Sequence, residues 1–249
     1  MKKYGLIGYP LEHSFSKKYF AEKFKNEKIE DACYYNYPLK SITELVKLIK
    51  EENELLGLNV TIPYKEEVIS FLDAVDSEAL EVGAVNVIKI LRSGDKIKLK
   101  GYNTDIYGFK ESLKPFINKG MKQALILGTG GSSKAVAWVL KKLGVKIIFV
   151  SRSNKQGSIT YREITDNIIG NTQLIVNTTP LGMYPDTENK PDIPYNLLSP
   201  SHILYDLIYN PAQTLFLKEG INRGCTVING LTMLKLQAEK SWEIWNNPD

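Results

Sequence analysis

The chain has 249 residues, of which 43% are hydrophobic and 24% charged, with a net charge of +4. That length supports one large or two modest domains with ample core, and the composition is that of a soluble globular protein. The charge is spread out and forms no basic arm, which argues against a nucleic-acid partner, and no stretch approaches ~18 apolar residues, which argues against a membrane span.

The opening residues, MKKYGLIGYPLEHS, hold only a short apolar run before Pro10 and Glu12. No secretory signal is expected, and the chain reads as cytoplasmic. Residues 4–9 form a first strand ending at Pro10. Ser14 and Ser16 precede a helix carrying Tyr19, Phe20 and Phe24 at helical spacing, and either serine can cap it. Residues 32–37 form a second strand. It contains Cys33, which with the distant Cys225 lacks disulfide or zinc spacing; both read as buried thiols in a reducing compartment, and no metal site is expected. Ser41-Ile42-Thr43-Glu44 is a capping-box pattern opening a helix to about residue 53.

Residues 57–62 form a third strand in which Asn59 and Thr61 alternate with Leu58, Val60 and Ile62. Period-two alternation puts both polar groups on one face. Pro63 ends the strand and Lys65 follows, so Thr61 and Lys65 fall at a carboxyl edge, where open α/β sheets bind ligands. Residues 83–91 and 96–101 form a pair of strands around Ser93-Gly94-Asp95. Asn86 interrupts the apolar run Ala84–Ile88 and needs partners if buried. Asn103-Thr104-Asp105 then precedes a helix to about residue 117, which Thr104 or Asp105 can cap.

Residues 121–153 form a strand–glycine turn–helix–strand unit. The strand is 124–127, the turn Gly128-Thr129-Gly130-Gly131, and the helix presents Ala135, Val136, Val139, Leu140 and Leu143 on one face before Gly144. Gly128 suits the tight exit, Gly130 lets backbone approach a pyrophosphate, and the helix N-terminus offers free N–H groups. Ser133 departs from the literal G-x-G-x-x-G pattern, and Ala135 can supply the close helix–strand contact. The second strand, 146–150, ends at Ser151-Arg152-Ser153, with Lys155 close behind. An NAD site usually places a carboxylate about 20 residues past the first glycine. Here Arg152 and Lys155 favour the extra phosphate of NADP.

Beyond this unit the pattern predicts a helix near 161–168, a strand at 173–177 and a Pro-rich loop at 184–194. A strand at 202–207, a helix at 213–222 and a strand at 226–229 follow. The final helix, about 231–245, carries Leu234, Ala238, Ser241, Trp242 and Trp245 on one stripe, with Gln237 beside it.

Taken together, these motifs resemble the shikimate dehydrogenases over essentially the whole chain. The resemblance rests on Gly8-Tyr9-Pro10 through His13-Ser14-Phe15-Ser16, Asn59-Val60-Thr61-Ile62-Pro63-Tyr64-Lys65 and Gly83-Ala84-Val85-Asn86. It continues through Asn103-Thr104-Asp105, the glycine turn, Asn177-Thr178-Thr179-Pro180-Leu181-Gly182-Met183, Tyr205-Asp206-Leu207-Ile208-Tyr209-Asn210-Pro211 and residues 230–237. It implies a two-domain α/β fold with a cleft between the domains. A mainly parallel substrate domain, 1–104, would regain the C-terminal helix 229–249, and a Rossmann-like NADP-binding domain would span 105–228.

The implied activity is reversible reduction of 3-dehydroshikimate to shikimate with NADP(H), a step toward chorismate and the aromatic amino acids. Carried over motif by motif, Lys65 and Asp105 are the catalytic pair. Ser14, Ser16, Asn59, Thr61, Asn86, Tyr209 and Gln237 serve the substrate. Gly128, Thr129, Gly130, Gly131, Ser151, Arg152, Ser153, Thr178, Leu207 and Gly230 serve the cofactor. Lys17 stands where the family usually has proline, and Ser151 and Ser153 flank Arg152 where Asn and Thr are common. The nearest alternative is a quinate/shikimate dehydrogenase using NAD; a non-catalytic nucleotide-binding scaffold is disfavoured because Lys65 and Asp105 are both retained. A monomer or homodimer is expected.

Overall fold

The computed structural model describes residues 1–11, 14–117 and 120–248, so His13 of the serine motif lies outside the described residues. The chain divides into two compact units, Met1–Thr104 with Ala238–Asp249, and Asp105–Gln237.

The first unit contains β1 (Lys2–Gly8), α1 (Phe15–Asn26), β2 (Ala32–Pro38), α2 (Glu44–Glu51) and β3 (Leu55–Val60). After a 3-10 turn at Glu67–Phe71 come β4 (Ala74–Val75), α3 (Ser77–Val82), β5 (Val87–Ser93) and β6 (Lys96–Tyr102). The strands form one sheet in the order β2-β1-β3-β5-β6-β4. β1 runs parallel to β2 and β3, β4 runs parallel to β6, and β5 is antiparallel to both of its neighbours. The carboxyl ends of β1, β2, β3 and β6 and the start of β5 therefore share one edge. Among the described residues, one hydrophobic core of the unit gathers Ile7, Leu45, Leu55, Leu58, Val60, Val68 and Ile88, and another gathers Tyr4, Phe20, Phe24, Tyr34 and Trp245.

Several elements differ from the sequence reading. The strand expected from 83 starts at Val87 because α3 precedes it. Asp76 caps α3 by accepting from Glu78 N at 3.0 Å, and Gly83 closes it at φ 69°. Only half of the capping box forms: Glu44 Oε1 accepts from Ser41 N at 3.1 Å, while the helix begins at Glu44. β3 stops at Val60, so Thr61 already lies in the turn. Cys33 is half-buried rather than buried, whereas Cys225 is enclosed.

The second unit contains α4 (Asp105–Leu113), β7 (Gln123–Leu127), α5 (Gly131–Lys142), β8 (Lys146–Ser151), β9 (Ser158–Thr160), α6 (Asp166–Gly170) and β10 (Leu174–Asn177). It continues with β11 (Ile203–Asp206), α7 (Leu215–Asn222), β12 (Thr226–Ile228) and the first turns of α8 (Leu231–Asn246). The expected helix at 161–168 is replaced by β9, a 3-10 turn at Tyr161–Glu163 and the short α6. Local caps break it up: Glu163 Oε2 accepts from Thr160 N at 2.6 Å, and Thr165 Oγ1 accepts from Ile168 N at 3.3 Å.

The second sheet has the order β12-β11-β10-β7-β8-β9 with every pair parallel, the doubly wound order of a Rossmann sheet. Its central strand β7 is buried along its whole length, as a strand covered on both faces must be. The order reverses between β7 and β10, and such a switch point is where doubly wound sheets bind ligands.

Candidate active site

In the first unit the candidate groups collect at the shared carboxyl edge. Ser14 sits at the N-cap of α1 without capping it, and its Oγ is buried with no hydrogen-bond partner among the described residues. The helix-capping role open to it in the sequence is not used. Ser16 follows in the first turn, half-buried. Thr61 is pinned by its N–H, which donates to Ile7 O at 2.9 Å, and by its carbonyl, which accepts from Tyr64 N at 3.0 Å. Gly8 permits this, since a Cβ there would strike the Thr61 methyl. Lys65 is half-buried, and its carbonyl accepts from Val85 N at 2.7 Å, which ties its turn to the segment leading into Asn86.

Asn86 continues the sheet past the start of β5: its carbonyl accepts from Val60 N at 2.8 Å and its N–H donates to Tyr102 O at 3.0 Å. Its side chain is 3% exposed, and Oδ1 accepts from Thr104 N at 2.7 Å. Asn103 Nδ2 donates to Ala84 O at 2.8 Å. The Asn59 carboxamide joins Tyr34 Oη at 2.8 Å to Ser241 Oγ at 2.9 Å. Burial pushes the Tyr34 phenol well above its ordinary range, so it stays a neutral donor.

In the second unit every strand ends on the same edge, because all pairs are parallel. Asp105 starts α4 with 2% exposure, and Ser132 Oγ, one residue into α5, donates to its Oδ2 at 3.5 Å. That brings Asp105 beside the glycine turn. Gly128 leaves β7 at φ 112°, and an added Cβ would lie 2.6 Å from Thr178 Oγ1. Only glycine suits both constraints. Thr178 in turn donates its hydroxyl to Leu127 O at 2.7 Å. An added Cβ on Gly130 would meet no protein atom within 4 Å. Gly130 is the N-cap of α5 and offers no capping side chain; Ser133 Oγ donates to its carbonyl at 2.5 Å. Ser151 is buried at the end of β8, and Arg152 and Ser153 are exposed. Lys155 Nζ donates to Thr129 Oγ1 at 3.1 Å, which draws a second cation onto the turn.

Leu207 and Tyr209 follow β11, both half-buried, and burial raises the Tyr209 phenol. Gly230 N donates to Ile208 O at 3.0 Å, and a Cβ on Gly230 would collide with Leu207 O. Gln237 is half-buried on α8, where Gly108 lets α4 approach: a Cβ there would be 2.6 Å from Met233 O.

A family model described as the shikimate dehydrogenase substrate binding domain matches residues 6–88. A curated relative from Clostridium beijerinckii, named shikimate dehydrogenase (NADP(+)), is 41% identical over 262 aligned residues. The alignment covers 98% of this chain and 92% of the relative. The chain belongs to the shikimate dehydrogenase family. A solved shikimate dehydrogenase in complex with NADP+ has TM-score 0.87 and 34% identity, covering 100% of this chain and 91% of the other. A Thermus thermophilus shikimate 5-dehydrogenase solved with NADP(H) and shikimate has TM-score 0.86 and 29% identity, covering 100% and 95%. The resemblance drawn from the motifs and the two-domain α/β fold are thereby borne out.

The groups that hold these candidate residues in place carried little signal in the sequence. Tyr34 looked like one more strand aromatic. Ser241 was visible as a polar break in the α8 stripe, and Asp206 as a carboxylate inside an apolar strand. Among the described residues no cluster of His, Cys, Asp or Glu is arranged to hold a metal ion, and no helix is long and apolar enough to cross a membrane.

Proposed function

We propose that the protein catalyses the reversible reduction of 3-dehydroshikimate to shikimate with NADPH, acting in the cytoplasm as a monomer or homodimer. The observation that carries this reading is the polar sheet edge of the first unit. Ser14, Ser16, Thr61, Lys65 and Asn86 gather there in a chain whose relatives bear that activity's name over 98% of its length.

The second unit fits NADPH. The open side of Gly130, the uncapped start of α5, and the cations Arg152 and Lys155 in place of a β8 carboxylate suit a dinucleotide with an extra phosphate. NADPH, when bound, supplies the hydride. Gly128, Thr129, Gly130 and Gly131 would hold its pyrophosphate, the three glycines leaving the backbone of the turn open to close approach. Ser151, Arg152 and Ser153 hold the 2′-phosphate, and Thr178, Leu207 and Gly230 shape the nicotinamide end.

Reduction of the ketone builds negative charge on oxygen. The Lys65 ammonium stabilises that charge and delivers the proton, and Asp105 orients and shares the transfer; such help is typically worth ~10²–10⁴-fold in rate. Ser14 and Ser16 bind the substrate carboxylate, and the buried Ser14 Oγ, which has no hydrogen-bond partner among the described residues, gains a bond on binding. Thr61, Asn86, Tyr209 and Gln237 bind the ring hydroxyls. Asn59, with its carboxamide engaged by Tyr34 and Ser241, supports this set from behind.

The test is initial rates of the purified protein oxidising shikimate with NADP and with NAD, then quinate with each. Turnover of shikimate with strong preference for NADP is expected. Preference for NAD or for quinate would move the protein to the quinate/shikimate class. Cofactor binding without turnover would overturn the catalytic reading.

A further inference from the structure

Several exits at the carboxyl edge of the second sheet meet on one buried carboxylate. Asn177 ends β10 and Asp206 ends β11; they are partners in the parallel register, and both are fully enclosed. Asp206 Oδ1 accepts from Asn177 Nδ2 and from Ile208 N, each at 3.1 Å, and Oδ2 accepts from Thr214 Oγ1 at 2.6 Å. Thr214 is 1% exposed and is also the N-cap of α7, where it accepts from Leu217 N at 3.4 Å. The donors on this one side chain thus come from the end of β10, the turn after β11 and the start of α7.

These bonds fix main chain as well as side chains. A carboxylate only accepts, so Asn177 must present its amide nitrogen to Asp206 and turn its oxygen the other way. That oxygen accepts from Thr179 N at 3.0 Å and from Thr179 Oγ1 at 2.7 Å, which folds the loop carrying Thr178 back onto the end of β10. The bond from Ile208 N closes a turn at the exit of β11, of the kind an Asp side chain makes two residues on. It fixes the Leu207–Ile208 peptide, and Ile208 O then accepts from Gly230 N at 3.0 Å, with Gly230 packed so tightly that an added Cβ would collide with Leu207 O. The backbone at Thr178, Leu207 and Gly230 is therefore set, directly or at one remove, by the same carboxylate.

We propose that Asp206 is a positioning residue for the nicotinamide end of NADPH: it holds the exits of β10, β11 and β12 where Thr178, Leu207 and Gly230 can seat the ring. The inference rests on the reading of those three residues as the nicotinamide end and adds what fixes them. The adenosine end rests on the glycine turn after β7 and on Arg152 after β8, outside this set of bonds.

The test compares Asp206→Ala and Asp206→Asn in the full chain at pH 7.5. Fluorescence titration reads the Kd of NADPH, calorimetry the Kd of adenosine 2′,5′-bisphosphate, and initial rates the kcat of shikimate oxidation. Asp206→Ala should raise the NADPH Kd about tenfold, the equivalent of one lost buried bond. It should lower kcat by up to ~10²-fold, the cost of a reacting group displaced by about 1 Å. The bisphosphate Kd should stay within about twofold, because that probe lacks the nicotinamide end. Asp206→Asn keeps the oxygen that Asn177 and Ile208 use and should restore most of both losses. If Asp206→Ala does not fold, Thr214→Val carries the test: it strips Oδ2 of its donor and should raise the NADPH Kd several-fold, and Thr214→Ser should recover it. A folded Asp206→Ala or Thr214→Val variant with unchanged NADPH Kd and kcat, equal losses for NADPH and the bisphosphate, or Asp206→Asn as impaired as Asp206→Ala would overturn the inference. Wild-type protein that binds no NADPH or does not turn over shikimate would overturn the proposed function, and this inference with it; an active wild type with unaffected variants overturns this inference alone.

Discussion

Asp206 should write a distinct signature into the protein's pH response. It ends β11 as a fully enclosed carboxyl. Oδ1 accepts from Asn177 Nδ2 and Ile208 N, each at 3.1 Å, and Oδ2 accepts from Thr214 Oγ1 at 2.6 Å. Burial raises its pKa from the ordinary 3.8 to about 6, against the opposing pull of these donors. The folded state therefore holds the proton more tightly than the unfolded chain. Stability is full below the unfolded value, falls as pH rises, and levels off above about 6. At ~1.4 kcal/mol per pH unit the whole fall is ~3 kcal/mol, and roughly half of it lies between pH 5 and pH 7.5. Asp206→Asn cannot ionise, keeps the oxygen that Asn177 and Ile208 use, and offers an amide to Thr214 Oγ1. Urea unfolding of both proteins at pH 5 and pH 7.5 reads the difference. Wild type should lose ~1.5 kcal/mol more than the variant across that window. Parallel pH dependences would refute the reasoning.

Other substitutions probe the remaining parts of the site. Lys65→Met should lower kcat by ~10²–10⁴-fold with NADPH affinity kept, as read by rates and fluorescence titration; parallel loss of cofactor binding would remove Lys65 from the proton-transfer role. Arg152→Ala should raise the NADP KM at least tenfold while the NAD KM stays nearly constant; equal effects on both would detach Arg152 from the 2′-phosphate. Gly128→Ala forces a side chain into the φ 112° conformation and against Thr178. It should cost at least ~1–2 kcal/mol in thermal unfolding and weaken NADPH binding; an unchanged Tm would refute the steric account.

What the sequence made legible was local. The strand, glycine turn, helix and following strand around Gly128–Gly131 lie within one continuous stretch, and each part agrees with the next. The stretch from Asn59 to Lys65 was readable in part: strand alternation is a short-range signal that marks Leu58–Val60, but β3 ends there, before Thr61 and Pro63. Short elements were less so. α3 spans six residues, and its closing Gly83 opens an apolar run that reads as strand from the start. Near Tyr161 two successive caps, at Thr160 and Thr165, divide what looks like one weak helix. The bonds around Asn59 were illegible for a different reason: they join Tyr34, Asn59 and Ser241 across the folded chain. No periodicity marks which tyrosine hydroxyl will meet which carboxamide. Asp206 stood inside a recognisable motif, but its elevated pKa arises from enclosure by β10 and the Thr214 loop, which only the fold supplies.

The most direct test of the central claim follows the transferred atom. Purified protein is mixed with 3-dehydroshikimate and NADPH carrying deuterium at both hydrogens of the nicotinamide C4, and the product is analysed by mass spectrometry and NMR. Shikimate carrying deuterium at the carbon that was the ketone is expected from wild type and nearly absent with Lys65→Met. Shikimate without label at that carbon, or no shikimate from a folded, NADPH-binding protein, would contradict it.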